Sequence, residues 1–353
     1  MKHYDYEEQF HALNRKQHRK DRKYAQKSDR SKFKKTDQVE KVVLTQLPRG
    51  RVVSMTGERI LVDHEDGTTI VCSLKGQLKK DKSLVKNLIA VGDWVRITEE
   101  GSIADVEPRT TILSRVDITG KKEQVIATNV DQLLIVVSVV EPPLKPALVD
   151  RYLIAAEKGG LHPIVVINKI DLLKDDDVKQ LYTEFLSVYE RLGLPIVSVS
   201  SIDGTGVAAL RGLLQNKTTV VSGQSGVGKS SLLNAAFQTQ LKVGQLTKTT
   251  SKGAHTTATA ELVRLPGGGY CVDTPGIRSF AVWQLTVDDV KSHFHELALY
   301  AKKCHYADCN HTNEPTCAVR KAFTKGKISA MRFSSYEALL SEAFAKSDKT
   351  TWD

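Results

Sequence analysis

One stretch decides the fold of this chain: Gly223-Gln224-Ser225-Gly226-Val227-Gly228-Lys229-Ser230. It fits the pattern G-x-x-x-x-G-K-[ST], follows an apolar β-type run from Thr218 to Val221 and opens a helix-like run from Ser231 to Phe237. This strand–loop–helix context is the one that a phosphate-binding P-loop requires. Its glycines let main-chain N–H groups surround phosphate oxygens, and the helix N-terminus adds a partial positive charge. We expect Lys229 to reach the β- and γ-phosphates as a candidate catalytic residue, and the Ser230 hydroxyl to ligate Mg²⁺.

A second motif predicts which base the nucleotide carries. Asn168-Lys169-Ile170-Asp171 fits the N-K-x-D pattern directly after an apolar strand. The Asp171 carboxylate can accept hydrogen bonds from N1–H and the N2 amine of guanine, whereas adenine would leave it desolvated and unpaired. The Lys169 stem can lie along the base, and Ser200 follows the next apolar strand, where a main-chain N–H is expected near guanine O6. We therefore expect GTP and GDP as ligands.

A third motif, Asp273-Thr274-Pro275-Gly276, fits D-x-x-G at the end of a strand. Asp273 is expected to contact Mg²⁺ through water and the Gly276 N–H to sense the γ-phosphate. The preceding loop contains a threonine that completes the Mg²⁺ shell, with Thr257 favoured and Thr256 the alternative. The predicted nucleotide-binding residues are Asn168, Lys169, Asp171, Ser200, Gly223, Gln224, Ser225, Gly226, Val227, Gly228, Lys229, Ser230, Ser231, Thr256, Thr257, Asp273 and Gly276.

The order of these motifs is unusual. In ordinary GTPases the P-loop comes first and N-K-x-D comes near the end, whereas here N-K-x-D precedes the P-loop and D-x-x-G comes last. A sheet keeps its geometry when old termini are joined and new ones opened, since termini tend to lie close together. The continuous apolar strands between helix-like runs indicate a parallel sheet covered on both faces. We therefore predict a circularly permuted α/β P-loop GTPase domain at 113–285, whose D-x-x-G loop leads directly into a C-terminal domain.

The chain before this domain divides into two parts. Residues 46–112 contain five short β-type runs separated by turn residues, which favours a β-barrel with an OB-fold. Such barrels often bind nucleic acid, although a purely structural barrel stays open. Residues 1–45 form a basic tail that carries eleven Lys/Arg and two Asp between His11 and Thr36, out of a net charge of +10 for the chain. We expect this tail to be disordered alone, as an RNA-binding arm or a solubilising extension.

A cysteine cluster distinguishes the C-terminal domain, residues 286–353, which is otherwise helical in pattern. Cys304, Cys309, His311 and Cys317 give C-x4-C-x-H-x5-C, and three thiolates with one imidazole make a closed tetrahedral structural zinc site. We expect one Zn²⁺ per chain, with no ligand position left for catalysis. The two other cysteines, Cys72 and Cys271, lie in β-type runs and are expected in cores.

Bulk composition fits a protein with packed cores. The 353 residues are 41% hydrophobic and 26% charged, and the longest apolar run, Leu133 to Val140, is too short to span a bilayer. The N-terminus has no apolar segment of the kind found in secretory signals. These features predict a cytoplasmic protein that does not use a membrane.

These motifs and their order closely resemble the RsgA (YjeQ) family, bacterial circularly permuted GTPases that assist maturation of the small ribosomal subunit. The resemblance runs from roughly Gln46 to the C-terminus and also includes Lys252 to Thr257, Val91-Gly92-Asp93-Trp94-Val95 and Glu107-Pro108-Arg109. It implies a monomer with an OB-fold, a permuted GTPase domain and a zinc domain. It also implies that the 30S subunit and its 16S rRNA are the partners and stimulate GTP hydrolysis late in assembly.

One position departs from the wider GTPase pattern. Many GTPases place Gln after the D-x-x-G glycine to orient the attacking water, but this chain has Ile277, which cannot bind water. His255, in the loop before the Mg²⁺ threonine, is the candidate for that catalytic function, and a surface histidine without a role is the alternative. Two other functions stay open: an RNA-binding assembly factor that uses GTP only as a signal, and a GTPase that serves another RNA or protein.

Overall fold

The computed structural model describes residues 46–56, 59–64, 66–74, 88–116, 123–237, 260–273 and 285–350. The basic tail, His255, Thr256, Thr257, Gly276 and Ile277 lie outside these ranges, and the backbone alone is described at Asp273. No helix in the described ranges is both long and apolar enough to cross a membrane.

The first five strands form a closed barrel. Its strands are β1 (Arg49–Thr56), β2 (Arg59–His64), β3 (Thr69–Leu74), β4 (Trp94–Ile97) and β5 (Ser102–Val106). They follow one another in the order β1-β2-β3-β5-β4, β4 pairs back onto β1, and β3 runs parallel to β5. Alternate side chains, such as those of Val52, Ile60 and Val95, fill the interior. The predicted OB-fold barrel is confirmed, and Cys72 is one of its core residues.

A hairpin that the sequence did not predict connects the barrel to the next unit. It consists of β6 (Ile112–Val116) and β7 (Glu123–Thr128). The fully buried Asp93 of the barrel accepts hydrogen bonds from Arg109 Nε and from Thr128 Oγ1 of β7, each 2.7 Å long. Arg109 also donates from Nη2 to the second carboxylate oxygen at 2.8 Å. This network accounts for the Gly-Asp-Trp and Glu-Pro-Arg segments, because they fix the barrel to the hairpin.

The nucleotide-binding unit is a six-stranded sheet between two layers of helices. Its strands are β8 (Gln132–Ser138), β9 (His162–Asn168), β10 (Ile196–Val199), β11 (Thr218–Gly223), β12 (Glu261–Arg264) and β13 (Tyr270–Asp273). Its helices are α1 (Pro146–Gly159), α2 (Asp176–Glu190), α3 (Val207–Leu214) and α4 (Lys229–Phe237). Helices α1 and α2 contribute buried side chains to one face of the sheet, and α3 and α4 to the other.

The strand order confirms the permutation. The sheet runs β10-β9-β8-β11-β13-β12, with β12 antiparallel to β13 and each other neighbouring pair parallel. The P-loop strand β11 is therefore central, although three strands of the sheet precede it in the chain. All seven residues of β8 beside it are buried, as expected of a strand covered on both faces.

The C-terminal helices pack against α1. They are α5 (Val287–His293), α6 (His295–Ala301), α7 (Ala318–Thr324) and α8 (Ala330–Thr350). A buried ion pair joins Arg332 of α8 to Asp150 of α1, and Glu296 of α6 accepts from Arg332 Nε at 2.6 Å. The Arg332 guanidinium also stacks 4.1 Å from the centroid of the Phe294 ring. The C-terminal unit is therefore fixed to the first helix of the nucleotide-binding unit.

Candidate nucleotide site and metal centre

The P-loop lies between β11 and α4, as its pattern predicts. Gly223 has φ of +145°, and a Cβ there would lie 2.1 Å from the Val136 carbonyl oxygen, so only glycine fits this exit from the strand. Lys229, the first residue of α4, curls back over the loop and donates from Nζ to the carbonyls of Gly223 and Gln224, each at 2.8 Å. Its ammonium group therefore lies at the mouth of the loop, where it can meet a phosphate.

The base-reading loop is bonded directly to the P-loop. Asn168 is buried at the end of β9, and its Nδ2 donates to the Val227 carbonyl at 2.8 Å. A Cβ on Gly228 would lie 2.6 Å from the same Nδ2 atom, at a φ of +89°. N-K-x-D and the P-loop therefore meet at van der Waals distance, which fixes the separation between a bound base and its phosphates.

The side chains around Asp171 are ordered by two further contacts. Ser200 Oγ donates to Asp171 Oδ1 at 2.7 Å, which orients the carboxylate expected to read guanine. Lys169 has a left-handed φ of +64°, and its Nζ donates to the Glu141 carbonyl at 2.7 Å. The Lys169 side chain is thereby held by the segment that contains Glu141.

Ser200 contacts Asp171 through its side chain, while its main-chain N–H is bonded within its own loop. Its N–H donates to the Thr205 carbonyl at 3.0 Å, so this N–H is already used within the loop. Its hydroxyl instead binds Asp171 and accepts from the N–H groups of Ile202 and Asp203, each at 3.3 Å. The Ser200 hydroxyl therefore joins the Asp171 carboxylate to the loop that follows β10.

The D-x-x-G strand is placed beside the P-loop strand. Tyr270, Cys271 and Val272 pair in parallel with Thr218, Thr219 and Val220. Asp273, at the carboxyl end of β13, is therefore level with Val221 of β11, two residues before that strand ends at Gly223. Cys271 is 3% exposed, which confirms it as a core residue.

The four predicted zinc ligands converge on one point. Their ligand atoms all lie within 4.8 Å of one another. His311 Nδ1 lies 3.6 Å from Cys304 Sγ and 3.4 Å from Cys317 Sγ, and the two sulfurs are 3.9 Å apart. Bond lengths of about 2.3 Å for Zn–S and 2.0–2.1 Å for Zn–N give tetrahedral ligand separations of about 3.5–3.8 Å. The cluster therefore has the size and the donor set of a tetrahedral metal centre.

Groups that the motif did not reveal hold the metal loop in shape. Glu314 accepts main-chain hydrogen bonds from Asn310 at 2.6 Å and Thr312 at 2.9 Å. Tyr336 of α8 donates to the Asn310 carbonyl at 3.0 Å. The only sequence signal for the Glu314 contacts was a glutamate among the metal ligands. The contact between Tyr336 and Asn310 joins residues 26 positions apart, so no local pattern indicated it.

Comparison with known proteins agrees with this geometry. Residues 106–283 match the family model described as RsgA GTPase. The small ribosomal subunit biogenesis GTPase RsgA of Chlorobaculum parvum is 39% identical over 306 residues, which cover 82% of this chain and 96% of that protein. Its counterpart in Shewanella oneidensis is 38% identical and covers 82% of both chains.

Two solved structures have the same fold. The crystal structure of YjeQ from Thermotoga maritima superposes with a TM-score of 0.67 at 34% identity, covering 84% of this chain and 98% of that one. The structure of YloQ, a circularly permuted GTPase, gives a TM-score of 0.65 at 27% identity, covering 86% and 97%. Sheet order, P-loop and N-K-x-D loop together define a circularly permuted GTPase, an enzyme that hydrolyses GTP. The chain belongs to the RsgA GTPase family.

The contact between Gly228 and Asn168 gives a direct test of the site. Gly228→Ala places a methyl group where Asn168 Nδ2 lies and strains a left-handed φ, so we expect GTP and GDP affinity to fall about 10-fold or more. Gly212→Ala is the matched control, because Gly212 lies in helix α3 and a Cβ there meets nothing within 4 Å. Titration with a fluorescent guanine nucleotide should show loss in the first variant only, and equal affinities would contradict the geometry.

Proposed function

We propose that this chain is a GTPase of the small ribosomal subunit: it binds the 30S particle and its 16S rRNA and assists late maturation. Binding to the subunit stimulates GTP hydrolysis. The printed names of its relatives, small ribosomal subunit biogenesis GTPase RsgA, support the partner. The hydrogen bond between Asn168 and the P-loop carries the proposal, because it joins the base-reading and phosphate-binding loops into one site. We place the protein in the cytoplasm as a monomer.

Guanine is read by the Asp171 carboxylate. Ser200 Oγ holds that carboxylate in one orientation, and the stem of Lys169 flanks the base. The loop that contains Ser200 supplies the N–H that faces guanine O6, although the N–H of Ser200 itself is bonded to the Thr205 carbonyl. The P-loop residues from Gly223 to Ser231 surround the phosphates.

Magnesium would be held by Ser230, by Thr257 with Thr256 as the alternative, and by Asp273 through water. This assignment rests on the motif pattern, and the ion would supply positive charge that stabilises the β- and γ-phosphates. In the C-terminal cluster, the spacing of the four ligand atoms supports zinc, which has a structural function there because all four positions are filled by protein.

The division of labour follows the units of the chain. We propose a basic tail at 1–45, an OB-fold at 46–112, the GTPase domain at 113–285 and a zinc-binding helical domain at 286–353. Along the chain, the tail and the barrel precede the GTPase domain and the metal centre follows it.

Co-sedimentation with separated ribosomal subunits tests the proposed partner. We expect the protein to pellet with 30S particles, and more strongly with a non-hydrolysable GTP analogue than with GDP. Equal recovery with 30S and 50S particles, or none with either, would contradict the proposal.

Asp171→Asn tests the base assignment. Loss of the buried charged hydrogen bonds should weaken GTP binding by roughly 2–4 kcal/mol and shift preference towards xanthosine triphosphate. Asp175→Asn, four residues further at an exposed position, is the control and should leave the titration unchanged. Unaltered GTP affinity in Asp171→Asn would remove this carboxylate from the base pocket.

Metal analysis tests the cysteine cluster. Purified protein should contain one Zn²⁺ per chain, and Cys309→Ala should lose it and destabilise the C-terminal helices while nucleotide binding persists. Cys72→Ala, in the barrel core, should retain full metal content. Elemental analysis that finds no stoichiometric zinc in the wild-type protein would overturn the assignment.

His255→Ala tests the proposed catalytic group. A neutral imidazole can orient the attacking water, and its unperturbed pKa of about 6.5 suits that task. The variant should lower the 30S-stimulated single-turnover rate by about 10²-fold or more, with GTP affinity nearly unchanged. His162→Ala, at an exposed position on β9, should keep the wild-type rate. Equal rates for His255→Ala and wild type would exclude a catalytic function, and a parallel loss of GTP binding would indicate a structural one.

A further inference from the structure

The barrel is hydrogen-bonded into the nucleotide-binding sheet. Strand β1 pairs antiparallel with β12 through Ser54 and Glu261, and Glu261 in turn pairs with Asp273 on β13. The adjacent strands β1, β12 and β13 therefore connect the barrel to Asp273, the first residue of D-x-x-G. Because β1 and β12 face each other through a single pair of residues, the contact between the barrel and the sheet also needs side chains to stabilise it.

A buried carboxylate of the barrel supplies one such contact. Asp63 on β2 is 8% exposed, and its Oδ2 accepts from the Tyr270 hydroxyl and from Arg264 Nη2, both at 3.1 Å. Its Oδ1 accepts from Thr69 Oγ1 at 2.6 Å, which fixes the carboxylate from the barrel side. Arg264 ends β12 and Tyr270 begins β13, so Asp63 holds both strands of this hairpin at one point.

A buried arginine holds the neighbouring strand. Arg51 of β1 donates to Thr218 Oγ1 at 2.7 Å and to the Asn129 carbonyl at 2.7 Å. Its guanidinium lies 5.0 Å from the centroid of the Tyr270 ring, and Tyr270 pairs with Thr218 across the sheet. The barrel therefore contacts the first residues of β13 and β11, which are neighbours in the sheet. The opposite ends of these two strands carry Asp273 and the P-loop.

Because β13 is short, the contacts that the barrel makes at Tyr270 affect the position of Asp273. The strand has four residues, from Tyr270 to Asp273, which at about 3.3 Å per residue separates its ends by roughly 10 Å. A displacement at Tyr270 is therefore carried to Asp273 with little room for relaxation. Asp63 touches β12 and β13 but not β11, so its loss should move D-x-x-G relative to the phosphates while the P-loop stays in place.

We propose that Asp63 is a positioning residue for GTP hydrolysis, which aligns the D-x-x-G strand from the barrel. A partner seated on the barrel can then change the hydrolysis rate through Asp63 and Tyr270. This inference rests on the proposed GTPase function and adds a route from the barrel to the phosphate site.

The experiment compares Asp63→Ala and Asp63→Asn with wild type. Asp105→Asn is the matched control, because Asp105 lies on β5 of the same barrel, away from β12 and β13. Single-turnover GTP hydrolysis is measured without subunits and over a range of 30S concentrations, alongside GDP titrations. Asp63→Ala should lower the maximal rate about 10-fold or more, with GDP affinity and half-saturating 30S concentration within about twofold.

The conservative variant separates positioning from simple loss of packing. Asp63→Asn keeps one oxygen, which can accept from Tyr270 or from Thr69 but not from both, and loses the charge that faces Arg264, so it should recover only part of the rate. Amide hydrogen exchange in nucleotide-free, subunit-free protein should be faster at 270–273 in Asp63→Ala and unchanged at 218–223.

Each other outcome has a distinct meaning. An unchanged maximal rate with a raised half-saturating 30S concentration would show that Asp63 only shapes the docking surface, and would overturn the inference. An equal loss of GDP affinity would reduce Asp63 to a structural residue. If 30S particles fail to stimulate wild type, the proposed partner fails, while the subunit-free rates and hydrogen exchange still decide the role of Asp63.

Discussion

The hydrogen bond from Asn168 to the Val227 carbonyl is the contact on which the site depends. It joins two loops that are 59 residues apart in the chain and that would otherwise be set independently. The contact requires β9 and β11 to lie on either side of β8, a spatial order of strands that the permutation of the chain leaves intact. A close approach at Gly228 tightens the same junction, because any larger residue would occupy the position of the Asn168 amide.

Both flanking units are attached to the nucleotide-binding unit by buried charged groups. The barrel contributes Asp63 and Arg51 at the starts of β13 and β11, and the C-terminal helices contribute Arg332 against Asp150 of α1. Burial raises the pKa of Asp150 to about 6, against the opposing charge of Arg332. Removing one member of such a buried pair is costly because the other charge is left unpaired.

These attachments refine the expected link between nucleotide state and the C-terminal unit. The described residues on either side of the D-x-x-G loop are Asp273, in the sheet, and Leu285, in the C-terminal core. Both ends are therefore anchored in packed units, and the C-terminal unit is itself held on α1. The direct chain connection accordingly acts between two bodies that already contact each other.

Local sequence patterns predicted the motifs but not the contacts between residues that are far apart in the chain. The P-loop, N-K-x-D and the cysteine cluster were found because their chemistry is set by spacing within a few residues. Helix α8 runs from Ala330 to Thr350, and its packed face includes the buried Arg332, which reads as a polar surface residue in the sequence.

The pairing of β6 with β7, the Ser200–Asp171 bond and the Asp63 contacts depend on residues far apart in the chain, which no local periodicity encodes. Likewise, the sequence identified the loop containing Ser200 but could not show which of its donors was already bonded.

The function that we propose requires the small ribosomal subunit to accelerate GTP hydrolysis at this site. The most direct measurement is steady-state phosphate release by wild-type protein alone, with purified 30S subunits and with 50S subunits. We expect 30S particles to accelerate phosphate release about tenfold or more, which lowers the activation barrier by roughly 1.4 kcal/mol or more, and 50S particles to have no effect. Equal release in all three reactions would contradict it.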